Sequence, residues 1–476
     1  MKPSIYISTG GVFGSAFLWL LSFKMVAYWL GPEGVGLFSQ LRQIAQAVTI
    51  GATFGGTNAV VQGLSERVDM QARWQFRGTA SRLIGTSGVL AVLLFLVFTP
   101  QLTQLFLSSD APDLLATLRW LCLAILLNVG CTYAIAVLNG YRSYHYLALA
   151  QISGPLALVM MLSGAYFLHA AYRPEMLALS MVLCFLVTYL VGALGVSRLP
   201  KLVSNISIGY LTQPETRAFV KFAGSNLLAA LSSTIALLLI RSWIIDIHGL
   251  AFAGLFDAAW TLTFNYITLF LTACSTIYLP LLAGATQPTS QKVYMLKTTY
   301  LVLAGCTLVC YLMILFKNQL IHMLYSSQFE DSGRVLTVLA IAVIFRGVSW
   351  VYGMMIFATR NSRVLIISDL ALNSGLLLAA GYSLQRFTSL ESLGWAFVIP
   401  NFLYLVFVVE YACYKNSLIR RRQIWPLVIM ATLPLILAVV YEDQNTMSWG
   451  YIQFQLVFVG LLVSGLAWFA YKKVVL

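Results

Sequence analysis

Apolar runs of about 20 residues follow one another along almost the whole chain, and they restrict its fold more than any other feature. The first run, residues 6–30, contains a single charged residue, Lys24. A helix needs about 20 apolar residues to cross a bilayer, and lipid tolerates only backbones that satisfy their own hydrogen bonds. Charged residues make up 9% of the chain, against roughly 25% in soluble domains. The chain is therefore predicted to be an all-α, polytopic membrane protein.

The hydropathy pattern predicts about fourteen transmembrane helices. They lie near 6–30, 36–62, 83–107, 113–139, 146–168, 176–197, 219–247, 250–282, 294–316, 332–358, 364–385, 392–414, 424–441 and 450–471. The first run follows one Lys and lacks an A-x-A cleavage site, so we expect it to be retained as a span and not removed as a signal peptide.

Basic residues in the short loops orient the chain in the membrane. One set of loops and termini is rich in Lys and Arg, including the run Arg420-Arg421-Arg422, whereas the opposite set holds only Arg173, Lys317, Arg334 and Arg386. Cytoplasmic loops carry the excess of Lys and Arg, so both termini are predicted to be cytoplasmic. The net charge of +13 is mainly this topology signal, and no nucleic-acid partner is expected.

Charged residues inside the predicted spans are candidates for function. A basic residue at the centre of a helix costs roughly 2.5–3.5 kcal/mol on insertion scales, so each requires a partner or an aqueous cavity. The cations are Lys24, Arg42, Arg119, Arg241 and Arg346, and the carboxylates are Asp257, Asp369 and Glu410. The cations outnumber the carboxylates, so pairing alone does not neutralise the interior.

The chain contains an internal repeat with a spacing of about 218–221 residues. G-L-F-S at Gly36–Ser39 recurs as G-L-F-D at Gly254–Asp257. Six spans separate the copies, which therefore face the same way, and in parallel repeats the substrate site lies at their interface. We predict an N-terminal lobe of six helices (1–200), a cytoplasmic linker (201–218), a C-terminal lobe of six helices (219–415) and two additional helices (416–476). The lobes would surround a central cationic cavity.

A cationic cavity suits an anionic substrate, since Arg binds phosphate or carboxylate through two parallel hydrogen bonds. Arg42, with Gln43 and Gln46 in the same span, is the leading candidate. Lys24 and Arg241, at nearly equivalent positions of the repeat, would face each other across the cavity. For Arg42 and Lys24 the alternatives are a structural ion pair or an interfacial position, and Arg241 could instead pair with Asp246. The carboxylates are candidates for proton or ion coupling, or groups that balance a cation.

The beginning of the chain resembles a known family. The order Lys24, Gly31-Pro32-x-Gly34-x-Gly36-Leu37 and Leu41-Arg42-Gln43 is similar to the first two spans of bacterial lipid-linked oligosaccharide flippases, the O-antigen-unit translocases of the MOP superfamily. The resemblance covers roughly residues 5–415. It implies an inner-membrane transporter of lipopolysaccharide or related polysaccharide biosynthesis. Such a transporter would move an undecaprenyl-diphosphate-linked oligosaccharide to the periplasmic leaflet by alternating access.

In that interpretation Arg42 would bind the diphosphate or an acidic sugar, with Lys24, Arg241, Arg119 and Arg346 as further cations. No cofactor or metal is expected; energy could come from an H⁺ or Na⁺ gradient, and other membrane proteins of polysaccharide assembly are candidate partners. Many family members have twelve spans, so the two C-terminal helices are a departure.

Two other functions remain open at the level of sequence. A cation-coupled exporter of small molecules could share the fold, although an acidic cavity would suit cationic drugs better. A membrane-bound sugar polymerase or ligase would usually need a large periplasmic loop with catalytic groups, and no predicted loop exceeds about 25 residues. A transporter is therefore favoured over an enzyme.

Overall fold

A computed structural model of the chain describes residues 3–444 except 56, 68, 110, 170–171, 200–212, 286, 359–360 and 417–418, together with residues 460 and 465. All regular secondary structure in these residues is helical, which confirms the predicted all-α fold. Apart from residues 460 and 465, the predicted last span, 450–471, lies outside the described residues, as does most of the predicted linker, 201–218.

Fifteen helices, α1 to α15, make up the described part of the chain. They are α1 (Pro3–Ala52), α2 (Thr57–Glu66), α3 (Met70–Val97), α4 (Thr99–Leu107), α5 (Pro112–Gly140), α6 (Tyr144–Phe167), α7 (Pro174–Ser197), α8 (Gln213–Trp260), α9 (Tyr266–Ala283), α10 (Pro288–Leu315), α11 (Lys317–Leu324), α12 (Ser332–Ala358), α13 (Ser362–Arg386), α14 (Leu390–Lys415) and α15 (Trp425–Gln444).

Ten apolar stretches in the described residues are long enough to cross a membrane, and two of them are long enough to cross it twice. Residues 10–52 form a stretch of 43 residues and residues 230–275 one of 46, which at about 1.5 Å per residue would reach roughly twice the thickness of the hydrocarbon core. Each stretch is interrupted by one glycine whose backbone angles are not helical: Gly31 (φ 64°, ψ −160°) in the first and Gly249 (φ 85°, ψ 175°) in the second. Each therefore contains two of the predicted spans.

The packing of the helices divides the chain into two compact units, Met1–Ala251 and Phe252–Leu476. In the first unit α5 packs on α7, and α1 packs on α6. The part of α8 before Ala251, predicted as the first span of the C-terminal lobe, thus packs within the first unit. In the second unit α12 is the central helix and contacts α10, α14 and α15.

Buried tyrosine and threonine hydroxyl groups form hydrogen bonds between helices of the second unit. The Tyr278 hydroxyl donates to the Val351 carbonyl at 3.0 Å, and the Thr299 hydroxyl donates to the Tyr352 hydroxyl at 3.1 Å. Between α8 and α9 the chain forms a π-helical turn, Thr261–Asn265. Each buried hydroxyl that finds a partner avoids the cost of lying unpaired in an apolar interior.

The helix boundaries repeat along the chain. Gly31 and Gly249 are 218 positions apart, as are the first residues of α3 and α10, at 70 and 288, and those of α4 and α11, at 99 and 317. The structure thus supports the repeat inferred from Gly-Leu-Phe. In this register Lys24 corresponds to Ser242 and Phe23 to Arg241. The two cations are therefore one position out of equivalence.

Candidate functional site

The second half of α1, which follows the break at Gly31, presents polar side chains on two sides. Gln40 and Gln43 lie three residues apart on one side, and Arg42 and Gln46 lie four apart on the other, because residues at these spacings share a helix face. Gln40 and Gln43 are 1% and 6% exposed, whereas Arg42 is half-buried and Gln46 is exposed. The two faces therefore have different surroundings.

Arg42 lies against aromatic rings from the first half of the same helix. Its guanidinium carbon is 4.8 Å from the centre of the Phe23 ring and 5.5 Å from that of Trp19. Phe23 also packs edge-on against Phe38, with ring centres 5.2 Å apart. A cation over an aromatic face gains about 2 kcal/mol when desolvated. The five guanidinium N–H groups lie in the plane of the group, so a ring over its face does not act as their hydrogen-bond acceptor.

The break at Gly31 brings these rings to Arg42. The two halves of α1 run past each other, so that residues on either side of the break come together. Trp19 contacts Phe38, which lies one turn before Arg42. Phe23 contacts both Phe38 and Arg42. Gly31 and Pro32 are read directly from the sequence, and the left-handed φ of Gly31 favours glycine. Arg42 lies 11 residues after Gly31, and Trp19 and Phe23 lie 12 and 8 residues before it. A hairpin centred on Gly31-Pro32 would therefore have indicated the region of these two rings, which the sequence did not identify as site residues.

The other face of this segment is joined to the first half of α8. The Gln43 amide donates to the Thr234 carbonyl at 3.2 Å, and its oxygen accepts from an Arg241 Nη1 at 3.4 Å. The Gln40 amide donates to the Ser242 hydroxyl and to the Phe106 carbonyl, both at 3.0 Å. Two glutamines within one helical turn thus connect the second predicted span to the seventh.

Arg241 is held in this network and is 3% exposed. Among the sequence-predicted site residues of the first unit, the structure joins Arg241 to Gln43 by a hydrogen bond. Lys24 follows Phe23 on α1 and is half-buried, whereas Arg119 is exposed near the start of α5. Arg119 is thus more accessible than the buried Gln43–Arg241 pair.

A second polar cluster lies in the second unit. The Arg346 guanidinium carbon is 5.6 Å from the centre of the Tyr404 ring, and the Tyr404 hydroxyl donates to an Asp369 oxygen at 3.4 Å. Arg346 is also near enough to Asp369 for a favourable charge interaction. Both charged residues were predicted from the sequence, and the structure adds Tyr404 of α14, which contacts Arg346 of α12 and Asp369 of α13.

The remaining candidate carboxylates have different surroundings. Asp257, in α8, is 1% exposed. Glu410 forms an ion pair with Arg421 of the segment that follows α14. Both Asp369 and Glu410 thus lie beside an arginine of their own unit, an arrangement in which each carboxylate balances a cation.

No protein-family model matches the chain, but similar curated proteins exist. It is 22% identical over 364 residues to the "Lipid III flippase" of Escherichia coli (strain K12), covering 74% of this chain and 84% of that protein. The protein of the same description from Shigella flexneri gives the same values. These relatives extend over most of the chain at low identity.

Solved membrane transporters share the fold. The "Lipid II flippase MurJ" in an inward closed conformation superposes with a TM-score of 0.72 at 12% identity, over 99% of this chain and 100% of that one. An inward-facing MATE-family multidrug transporter of the MOP superfamily gives 0.66 at 16% identity, over 84% and 94%. A MOP-superfamily transporter from Pyrococcus furiosus gives 0.62 at 18%, over 87% and 94%. The chain is therefore a multi-span membrane protein with the helical fold of these transporters.

Proposed function

We propose that this protein is a flippase that moves a lipid-linked oligosaccharide from the cytoplasmic to the periplasmic leaflet of a bacterial inner membrane. Its substrate would be a short oligosaccharide on undecaprenyl diphosphate, such as an O-antigen unit used in lipopolysaccharide biosynthesis. The similarity to proteins described as lipid III flippases over 74% of the chain, together with the transporter fold, supports this proposal. Transport would proceed by alternating access without a cofactor.

The observation that carries the proposal is the position of Arg42. A half-buried arginine in a predicted membrane span, held against Phe23 and Trp19 at 4.8 and 5.5 Å, is costly to insert and is a default candidate for function. A planar guanidinium binds a diphosphate or a carboxylate through paired hydrogen bonds. We assign Arg42 to the diphosphate or to an acidic sugar of the head group.

The apolar chain of such a substrate needs no polar path. Burial of each CH₂ group in lipid contributes about 0.8 kcal/mol, so the tail stays in hydrocarbon while only the head group crosses. The protein therefore has to supply contacts for charge and sugar hydroxyls, and Gln46, exposed one turn after Arg42, offers an amide for this purpose. Lys24 and Arg119, of the same unit as Arg42, are assigned as secondary contacts for the anion, and a binding role for Arg346 stays a prediction from the sequence.

Substrate binding would shift the conformational equilibrium through its differential affinity for the two end states. Gln43 and Arg241, joined by a hydrogen bond in the first unit, would set the position of α8 relative to the Arg42 segment. We therefore give Gln43 and Arg241 a positioning role beside a binding role. Coupling to H⁺ or Na⁺ through Asp257, Asp369 or Glu410 is a further part of the proposal.

The test is deletion of the gene, followed by measurement of lipid-linked sugars accessible from each side of the membrane. We expect one lipid-linked oligosaccharide to accumulate on the cytoplasmic leaflet and wild-type protein to clear it. Arg42→Ala should fail to clear it, whereas Arg198→Ala, which removes an exposed arginine at the end of α7, should complement fully. Normal lipid-linked sugars in the deletion strain, with increased sensitivity to cationic drugs, would instead favour the exporter.

A further inference from the structure

One face of α14 carries exposed apolar side chains and, toward its end, the half-buried carboxylate of Glu410. Ile399, Leu403, Phe407, Glu410 and Tyr414 follow one another at spacings of four, four, three and four, which places them on one side of the helix. Ile399, Leu403 and Phe407 are 56%, 60% and 43% exposed, and Tyr414 is 83% exposed. This face belongs to a predicted membrane span, so its apolar part is expected to contact lipid.

The apolar part of this face forms a groove with α13. The groove has a volume of about 590 Å³ and is lined by side chains of both helices. Gly375 and Pro400 both line the groove, and a Cβ at Gly375 would be 3.5 Å from the proline ring. Leu378 of α13, on its rim, is 76% exposed. A groove of this kind, open to the bilayer along its length, suits a hydrocarbon chain.

The charged part of the face forms a separate pocket at the end of α14. This pocket, of about 790 Å³, is lined by Glu410, Tyr414 and the three consecutive arginines Arg420, Arg421 and Arg422. Glu410 pairs with Arg421, which leaves the charges of Arg420 and Arg422, both exposed, without balance from this carboxylate. The pocket therefore carries net positive charge.

The segment that holds these arginines is fixed to the rest of the second unit. The Asn416 amide donates to the Pro288 carbonyl at 2.9 Å, and Ile419 and Ile424 are 3% and 1% exposed. A single 3₁₀ turn, Arg421–Gln423, leads into α15. The arginines thus project from an anchored connection at the predicted cytoplasmic end of α14.

The groove and the pocket adjoin each other. Phe407 and Glu410 are three residues apart, a rise of about 4.5 Å along the helix. From Ile399 to Glu410 the helix rises about 16 Å, close to half of the roughly 30 Å hydrocarbon core. The apolar wall on α14 therefore has the depth of one leaflet, and the arginines, which follow the predicted end of this span at residue 414, are expected at the level of the phosphate groups.

We propose that this face binds an anionic glycerophospholipid of the cytoplasmic leaflet. Its phosphate lies among Arg420, Arg421 and Arg422, and one acyl chain lies in the groove between α13 and α14. Guanidinium groups form short, charge-assisted hydrogen bonds with phosphate, and basic pockets at the cytoplasmic ends of membrane helices bind anionic head groups. The proposal does not rest on the flippase function. It requires only that the end of α14 faces the cytoplasm, as the predicted topology has it.

The test is a lipid titration of the purified, delipidated full-length protein, with bound lipid counted by native mass spectrometry. We expect one dioleoyl phosphatidylglycerol to bind in preference to dioleoyl phosphatidylcholine. Arg420→Gln/Arg422→Gln should weaken that first binding event by about tenfold or more, since each basic residue near a membrane surface contributes about 1 kcal/mol. Leu403→Trp, which fills the groove from a lipid-exposed position, should weaken it as well.

The matched control removes the same charge elsewhere on the predicted cytoplasmic side. Arg198→Gln/Arg363→Gln replaces two exposed arginines outside the pocket and should leave the first binding event unchanged. An equal loss in this control would show general surface attraction and overturn the site. So would competition by glycerophosphoglycerol as strong as that by the intact lipid, or displacement of phosphatidylglycerol by an equal concentration of a polyprenyl phosphate.

Discussion

Arg42 lies over two aromatic rings of its own helix, whereas Arg346 lies over one ring of another helix. Phe23 and Trp19 belong to α1 and lie on the other side of the break at Gly31 from Arg42. Arg241, by contrast, is 3% exposed and hydrogen-bonded to Gln43. The residue with the greater access is the better candidate for direct contact with a substrate.

We expect Arg42→Ala to abolish translocation while the amount of inserted protein stays near normal. Removal of one partner of a close charged contact commonly costs several kcal/mol, enough to stop transport. Arg42→Lys should retain part of the activity, because the charge remains and the planar group is lost. The measurement is clearance of the accumulated lipid-linked sugar, with protein level determined in the same membranes. A stable Arg42→Ala protein with full activity would contradict the assignment.

Gln43 gives a prediction of a different kind. Gln43→Leu keeps the volume of the side chain and removes its hydrogen bonds to Thr234 and Arg241. Loss of a partner of a buried polar group costs about 1–3 kcal/mol, and more for a charged group, so we expect a lower unfolding temperature together with reduced transport. Gln46→Leu, at an exposed position of the same helix, is the control and should leave the unfolding temperature unchanged. Equal thermal shifts in both variants would show that the bonds to α8 do not stabilise the protein.

A third prediction concerns cooperation between Lys24 and Arg241. If both contact one anionic head group, Lys24→Ala combined with Arg241→Ala should lose less activity than the sum of the single losses, because contacts that share a ligand are not additive. Flipping rates of the two single variants and the double variant measure this. Strict additivity of the two losses would contradict a shared ligand. It would indicate that one residue binds the substrate and the other has an independent structural role.

At the scale of helices, the glycines at which α1 and α8 break give the clearest prediction for stability. Gly249 has φ 85° and ψ 175°, a backbone region that is essentially restricted to glycine. A Cβ at this position would have no atom within 4 Å. Any effect of alanine there is therefore conformational and not due to a clash.

We expect Gly249→Ala to destabilise the protein by about 1–3 kcal/mol, detected as a lower unfolding temperature in detergent. Gly85→Ala is the matched control, since a Cβ there also has no atom within 4 Å and the residue lies inside α3. Alanine is favoured over glycine in a helix by about 1 kcal/mol, so this control should be neutral or stabilising. A stable Gly249→Ala protein would mean that the break does not require glycine.

The sequence predicted the helices well because a membrane span has one strong signal, a long apolar run. The gaps between the predicted spans, at 30–36 and 247–250, coincide with the breaks at Gly31 and Gly249. The hydropathy pattern did not predict that helical structure continues on both sides with a single glycine outside the helical φ/ψ region. Phe23, Trp19 and Tyr404 were not predicted as site residues, for a different reason. An aromatic residue in a membrane span is usually part of the apolar background, and only the distance to Arg42 or Arg346 distinguishes these three. The roles of the candidate site residues themselves stay predictions.

At the scale of the whole molecule, the prediction is the topology. In a background without reactive cysteines, Cys at position 70 should be labelled from the cytoplasm, because the loop before α3 belongs to the set rich in Lys and Arg. Cys at position 446, which lies outside the described residues, should be labelled from the periplasm by a membrane-impermeant maleimide. Labelling of position 70 from the periplasm, or of 446 from the cytoplasm alone, would exclude fourteen spans with both termini inside.

The repeat also bears on how the molecule is built. Breaks recur at 31 and 249, and α3 and α10 begin 218 positions apart. Yet the residues at corresponding positions differ: Phe23 corresponds to Arg241, and Asn128 to Arg346. The two copies thus keep the same helix boundaries while carrying different chemistry.

The break at Gly31 has a consequence for the synthesis of the protein. When the second span leaves the ribosome, the first span, with Trp19 and Phe23, has already emerged. Only the break separates the two, so they can enter the bilayer as a hairpin in which Arg42 meets the rings that later hold it. In such a hairpin the charge would enter lipid accompanied by its aromatic partners, which would reduce the roughly 2.5–3.5 kcal/mol cost of inserting a lone arginine.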